Sequence, residues 1–327
     1  MNSMPIDALE RVVLGGVTQW VRIRAADPGN PVLLLMQQGP GLPMINEVRG
    51  FDHRLGLEQI FTVVYWDQRG TGLSARSLRN RQDRRDITVA NMVNDTVELL
   101  EMLHDRFERS LVVAGFSFGA TFAAYAAVQR PELMASLIAV GMDIDVPTAE
   151  RQMYEFVLTT ARQRDNVRAI HQLESIGPPP HVTAKQFRTR AKWATEFDGV
   201  TRDATFNSLL RSLLSSVVRS PDYSTRDLIG TFRGLTASQA ALLPQLADTE
   251  LVRTVPSLDV PLVMVQGRFD QVAPAAAAQR FFDSVTAPTK QLIWFEESAH
   301  TPHLDEPDKF RDVLVDVAKD QRRLTYP

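Results

Sequence analysis

Gly115-Phe116-Ser117-Phe118-Gly119 sets a serine between two glycines, directly after the apolar run 111–114 and before an alanine-rich stretch, 120–130, that Pro131 ends. A strand turning sharply into a helix would hold this serine in strained backbone angles with its hydroxyl clear of the sheet. Side chains two positions to either side would collide with neighbouring backbone, so glycine fits there. A glycine-rich turn around a buried serine fits the same five residues. A serine hydroxyl becomes a useful nucleophile only when a base takes its proton and an acid orients that base. The chain holds six histidines, and His300 has the best position. It follows the last apolar run, 291–295, in Glu297-Ser298-Ala299-His300-Thr301-Pro302-His303. His303 is the second choice. His104 lies at the end of a helical pattern, where a charged imidazole favours the helix dipole, and reads as structural. Asp270, in Gln266-Gly267-Arg268-Phe269-Asp270, follows the run 261–265 and is the matching acid. A turn aspartate ahead of the helical stretch 274–282 fits it equally. Asp259 precedes that run, so it belongs at the opposite end of the strand.

Acyl transfer also needs hydrogen-bond donors aimed at the oxyanion that forms. The amide of Phe118 is one. The loop after the run 32–36 reads Gln37-Gln38-Gly39-Pro40-Gly41, and the amide of Gly39 is the expected second. An ordinary surface turn would have the same composition.

The elements that must position these residues follow from patterning. Gly15-Gly16 lies between 11–14 and 18–25, which reads as a hairpin. Short, nearly continuous apolar runs at 32–36, 61–66, 111–114, 137–140, 261–265 and 291–295 suit strands buried on both faces. Between them Val89, Met92, Val93, Val97, Leu100 and Leu103 recur at helical spacing, as do Phe310, Val313, Leu314 and Val317. Such alternation predicts an α/β fold: a mostly parallel central sheet flanked by helices. It stops near Asp145 and resumes near Val260. The residues between carry helical patterns at 148–163, 183–197 and 203–218, interrupted by Gly177-Pro178-Pro179-Pro180. The expected organisation is a core of 1–145 and 256–327 with an inserted helical cap of 146–255; a linker to a separate domain is the alternative for the proline run.

Composition narrows the function. The 327 residues carry 36 Lys and Arg against 39 Asp and Glu, a net charge of −3, which argues against a nucleic-acid partner. Cysteine is absent, which removes thiolate catalysis, disulfides and cysteine-ligated metals. No histidine pair has metal spacing on a helix, so neither metal nor cofactor is expected. No apolar stretch is long enough for a membrane helix, and the start lacks the order of a secretory signal. A cytoplasmic protein without a membrane partner is expected. The stretch 75–86, ARSLRNRQDRRD, has acidic residues interleaved and reads as a solvated loop.

At these residues the chain resembles the proline iminopeptidase group of α/β-hydrolases. That group carries Asp-Gln-Arg-Gly-x-Gly-x-Ser after an early strand, and Asp67-Gln68-Arg69-Gly70-Thr71-Gly72-Leu73-Ser74 matches throughout. The serine turn, Gly267-Arg268-Phe269-Asp270 and Ala299-His300 fall in register. Gln37-Gln38 stands where the group has His-Gly. The resemblance spans about 10–145 and 255–320. It implies a serine hydrolase with a helical cap, a Ser117–Asp270–His300 triad, and a small-molecule or short-peptide substrate with a free amine. The group holds that amine with carboxylates, some of them in the cap. Trp193, Glu196 and Asp198 loosely match the group's aromatic–glutamate segment, out of register, and an exposed helix face explains their charges equally. With Gln37 and Gln38 they are the candidate substrate contacts. An esterase or lactonase on a small metabolite is the enzymatic alternative. A hydrolase-fold protein that only binds its ligand is the alternative from another class.

Overall fold

The computed structural model describes residues 4–78 and 81–325. Every apolar run becomes a strand, because an extended segment buried on both faces has backbone groups that only neighbouring strands can satisfy. In chain order the strands are β1 (Ile6–Leu14), β2 (Val17–Ala25), β3 (Val32–Met36), β4 (Thr62–Asp67), β5 (Leu111–Phe116), β6 (Met134–Val140), β7 (Leu262–Gly267) and β8 (Lys290–Phe295). They form one sheet in the order β1-β2-β4-β3-β5-β6-β7-β8. The β1–β2 hairpin pairs antiparallel with β4, and all later pairings are parallel.

Alternation along the strands splits the core in two. Val32, Leu34, Met36, Val64 and Trp66 face the helices Val89–Phe107 and Phe118–Gln129. Leu33, Leu35, Val63 and Tyr65 face Val48–Leu55 and Pro307–Thr325, with Phe51 and Phe310 between them.

The ladders run beyond the apolar runs. β4 continues to Asp67, β5 to Phe116 and β7 to Gly267, where Trp20–Asp67, Phe116–Val140 and Gly267–Phe295 are paired. These extensions carry the loops of chemical interest to the carboxyl edge of the parallel sheet, where α/β folds place their sites. The hairpin also starts earlier than its alternation suggests, at Ile6 paired with Ala25. Much of β1 is only half-buried, so backbone pairing rather than apolar patterning defines it.

Five longer helices lie between β6 and β7: Val146–Gln163, Val167–Ile176, Ala184–Glu196, Phe206–Arg219 and Thr225–Leu246. The first three enclose an apolar cluster of their own, with Met153, Val157, Leu173, Trp193 and Phe197. The proline run is the crossing between the second and third. It is tied down by His181 N donating to Glu150 Oε2 at 3.0 Å and by the Gln186 side chain donating to Ile176 O at 3.3 Å. The end of the last helix turns back toward the sheet, where Leu242 and Leu246 join the core beside Leu251 and Val255. In the basic stretch, Arg76 grips Asp227 of that helix through two bonds, of 2.6 and 2.7 Å. Gln82, Arg84 and Arg85 are exposed, so the stretch is solvated apart from this tether and the buried Ala75; residues 79–80 lie outside the described residues.

Candidate active site

β5 ends at Phe116 and the next helix begins at Phe118, so Ser117 alone makes the turn, with φ 53° and ψ −127°. A non-glycine residue in such a conformation costs about 1–3 kcal/mol and persists only where its surroundings impose it. Here Ser117 N donates to Val140 O at 2.9 Å, and Ser117 O accepts from Ala120 N at 2.9 Å. The flanking glycines are a matter of space. A Cβ on Gly115 would lie 2.4 Å from Ala120 Cα, and one on Gly119 would lie 2.4 Å from the carbonyl oxygen of Gln37.

Asp270 and His300 lie together on the loops after β7 and β8. Asp270 Oδ1 accepts from the amides of Val272 and Ala273, both at 2.8 Å. Its Oδ2 is turned to His300 Nδ1 at 2.9 Å and also accepts from Gln266 Nε2 at 3.2 Å. A carboxylate at Nδ1 assigns the proton to that nitrogen and leaves Nε2 as the acceptor. Burial alone would push the His300 pKa down, but the charge and hydrogen bond of Asp270, with Asp143 beyond it, outweigh burial and raise it. His300 N donates to Val200 O at 2.9 Å, and Gln271 N to Gly199 O at 3.1 Å. One short segment after the helix Ala184–Glu196 thus braces both loops. Asp305 adds to this by accepting from Ala299 N at 3.0 Å and from the Thr201 hydroxyl at 2.6 Å.

A third carboxylate shares the site. Asp143 follows β6 after Gly141 and Met142, and Ser117 Oγ donates to its Oδ2 at 2.7 Å. No hydrogen bond joins Ser117 to His300. Burial pushes the Asp143 carboxyl up to about 6, against the opposing pull of His300 and the Ser117 hydroxyl. Sequence patterning passes over this residue. Its one signal is its position just beyond a parallel strand, the same kind of position that singles out Asp270.

The eight-residue run at 67–74 is a scaffold for the segment 37–45 that follows β3. Asp67 is fully buried. Its Oδ1 accepts from the amides of Met44 and Ile45 at 2.8 and 3.0 Å; its Oδ2 accepts from Leu73 N at 2.7 Å and from the Tyr223 hydroxyl. Burial raises the Asp67 pKa, and these donors oppose the rise. Arg69 forks onto Asp95 at 2.8 and 2.7 Å, and Gln19 joins them to the Trp66 indole. Ser74 Oγ accepts from Trp20 N at 2.9 Å and donates to Asp67 O. Thr71 donates to Gln37 Oε1 at 3.2 Å, so buried Gln37 is a support of the loop. Gly39, with φ 142°, follows in this loop. The approach of Gln37 O to Gly119 brings the loop against the start of the helix that Phe118 opens.

The other candidates have partners of their own. His303 stacks on Phe51, with ring centroids 6.0 Å apart and planes within 5°, and packs against Phe116 and Phe310. Burial, with the charge of Arg54, lowers its pKa to about 3, which makes it a core histidine. Trp193 is buried in the helical cluster, with its indole donating to Gln172 at 3.1 Å. Glu196 accepts from Phe206 N at 3.1 Å, and Asp198 pairs with Arg164 at 3.8 Å. None of these three is bonded to Ser117, Asp270 or His300. Gln38 is half-buried in the loop beside Gly39, and Asp259 is exposed ahead of β7, away from the serine turn. Among the described residues no group of three His, Asp or Glu is placed to hold a metal ion, and no helix is long and apolar enough to cross a membrane.

A mostly parallel eight-stranded sheet, with a strand–serine–helix turn and an acid and histidine on the loops after its last two strands, defines an α/β-hydrolase. The chain belongs to the serine aminopeptidase family S33, whose model matches residues 57–308. It is 30% identical over 312 residues to the probable aminopeptidase YbaC of Bacillus subtilis (strain 168), across 94% of this chain and 95% of that protein. It is 22% identical to the proline iminopeptidase of Heyndrickxia coagulans, across 93% and 96%. In fold it is similar to the crystal structure of the proline iminopeptidase of Mycobacterium smegmatis, with a TM-score of 0.66 at 19% identity over 96% of this chain and 98% of that one.

Proposed function

We propose that this chain is a serine hydrolase that works through an acyl-enzyme, as an aminopeptidase or amidase on short peptides or small amides with a free N-terminus. The observation that carries the chemistry is the Asp270 Oδ2–His300 Nδ1 contact of 2.9 Å on the loops beside the strained Ser117. Ser117 Oγ turns from Asp143 toward His300 Nε2, gives up its proton there and bonds to the acyl carbon. The amides of Phe118 and Gly39 hold the oxyanion. His300, kept oriented by Asp270, then passes the proton to the leaving amine. Water attacks the resulting ester with His300 again as base. The segment 146–255 serves as the cap of a core made from 1–145 and 256–327, and its backbone at Gly199 and Val200 steadies the acid and base loops. The aminopeptidase choice is supported by the family and by the name of the Bacillus subtilis relative.

The test is hydrolysis of Pro- and Ala-naphthylamides, their N-acetylated forms and short acyl nitrophenyl esters, with Ser117→Ala as control. Turnover of the free-amine amides that disappears on acetylation and in Ser117→Ala is expected. Ester turnover alone would make the protein an esterase or lactonase. No turnover, together with no labelling of Ser117 by a fluorophosphonate, would make it a binding protein.

A further inference from the structure

We infer that Asp143 is the anchor for the substrate's α-ammonium, a carboxylate placed at the nucleophile so that the site accepts acyl groups carrying a positive charge beside the scissile carbonyl. This rests on the aminopeptidase reading and names the residue that would enforce it. Three observations carry the inference.

The first is distance. Ser117 Oγ and Asp143 Oδ2 are 2.7 Å apart. In an attack geometry Oγ stands roughly 3 Å from the carbonyl carbon. The α-nitrogen of an N-terminal residue lies about 2.5 Å from that same carbon, across two bonds. A carboxylate that already reaches Oγ therefore has positions open to that nitrogen within hydrogen-bond distance.

The second is charge. Three carboxylates, Asp270, Asp143 and, more weakly, Asp305, act on the single imidazole of His300. His300 is matched by Asp270, which is bonded to it. Among the described residues no Lys or Arg forms an ion pair with Asp143. The nearby guanidinium, Arg190, is bound to Glu150 and to His181. Asp143 thus has only the shared pull of His300, with Arg190 more weakly, and no cation bonded to it, and a buried carboxylate in that position is costly. A substrate ammonium would supply the missing charge, whereas a neutral acyl group would leave the cost in place.

The third is access. Asp143 is 6% exposed, as Ser117 is, and His300 is 8% exposed. All three keep a small exposed surface, and Asp143 Oδ2 lies at hydrogen-bond distance from the serine that a substrate must reach. The backbone of Asp143 is held separately, by Thr121 Oγ1 donating to its carbonyl at 2.9 Å, and the side chain needs no structural partner other than Ser117.

The experiment measures protection of Ser117 from a neutral fluorophosphonate probe by L-alaninol, which carries the ammonium but no scissile bond, with N-acetyl-alaninol as control. In the wild-type protein alaninol is expected to protect and the acetylated form is not. In Asp143→Asn the probe should still label, and the half-protecting alaninol concentration should rise by about 30-fold or more, as for loss of one member of a buried charge pair. Equal protection of both proteins would place the anchor elsewhere and overturn the inference, while free-amine naphthylamide turnover would leave the aminopeptidase reading standing. A wild-type protein that alaninol does not protect and that cleaves no free-amine amide would overturn both. If Asp143→Asn fails to label, Asp143→Glu decides: protection retained with the charge supports the anchor, and protection lost overturns it.

Discussion

Asp143 should make the protein less stable than it need be, and the penalty should appear over a definite range of pH. An ordinary aspartate titrates at 3.8, and Asp143 is pushed up to about 6 by burial. An acid whose pKa is higher in the folded chain binds more protons folded than unfolded. Its contribution to stability is complete below the unfolded value and is lost as pH rises through the folded one. The gap between 3.8 and about 6 corresponds to about 3 kcal/mol at 1.36 kcal/mol per pH unit. Asp143→Asn removes the charge, is nearly isosteric and keeps an oxygen to accept from Ser117. The variant and the wild-type protein should therefore have similar unfolding free energies near pH 4, and the variant should be the more stable by about 3 kcal/mol above pH 6. His300 changes charge above its ordinary 6.5, so the comparison is read at pH 6.5 and below. Urea denaturation at half-unit steps from pH 4 to 6.5 measures the difference directly. Parallel curves for the two proteins, or a variant that is less stable at pH 6.5, would refute the reasoning.

Three further outcomes are expected. Because His300 must be neutral to act as base and its pKa is raised, kcat/KM for a nitrophenyl ester should fall as pH is lowered through a value above 6.5. Asp143→Asn removes a charge that helps hold the proton, so the fall should move to lower pH; a pH–rate profile that does not move contradicts the shared electrostatics. Gly119→Ala would place a Cβ 2.4 Å from Gln37 O, at a cost of about 1–3 kcal/mol of overpacking. By displacing the oxyanion loop it should also slow acylation by roughly 100-fold, read from the rate of fluorophosphonate labelling. Asp95→Ala would strand Arg69, whose side chain is 3% exposed, and should cost about 3–5 kcal/mol in urea denaturation; a loss below about 1 kcal/mol would mean that the buried pair is not a support of the run 67–74.

The catalytic candidates were legible in the sequence because each sits where a short-range pattern ends. An apolar run marks a buried parallel strand, and the residue just past its carboxyl end lies at the sheet edge. Ser117, Asp270 and His300 are all found that way, and the glycines around Ser117 are demanded by contacts within the turn and with the adjacent loop. His303 was harder to separate from His300, because only the aromatic rings of Phe51, Phe116 and Phe310, from three distant parts of the chain, show that it is packed away. The segment containing Trp193, Glu196 and Asp198 reads in sequence equally as substrate contacts and as an exposed helix face. Folded, those side chains cap, pair or pack within the helical layer, while the backbone two residues further on holds His300.

Local constraints along the chain specify a set of choices: apolar runs of four to eight residues, a serine on a forced turn, and an acid and a histidine after the last two strands. These follow from steric and apolar constraints that act over a few residues. The tertiary structure decided which groups share a charge environment. The hub at Asp67, the brace from Val200 to His300 and the pairing of Ser117 with Asp143 join residues that are 6 to 156, 100 and 26 positions apart. Hydrogen bonding and electrostatics depend on distance in space and on burial, and neither is written in the spacing of residues along the chain.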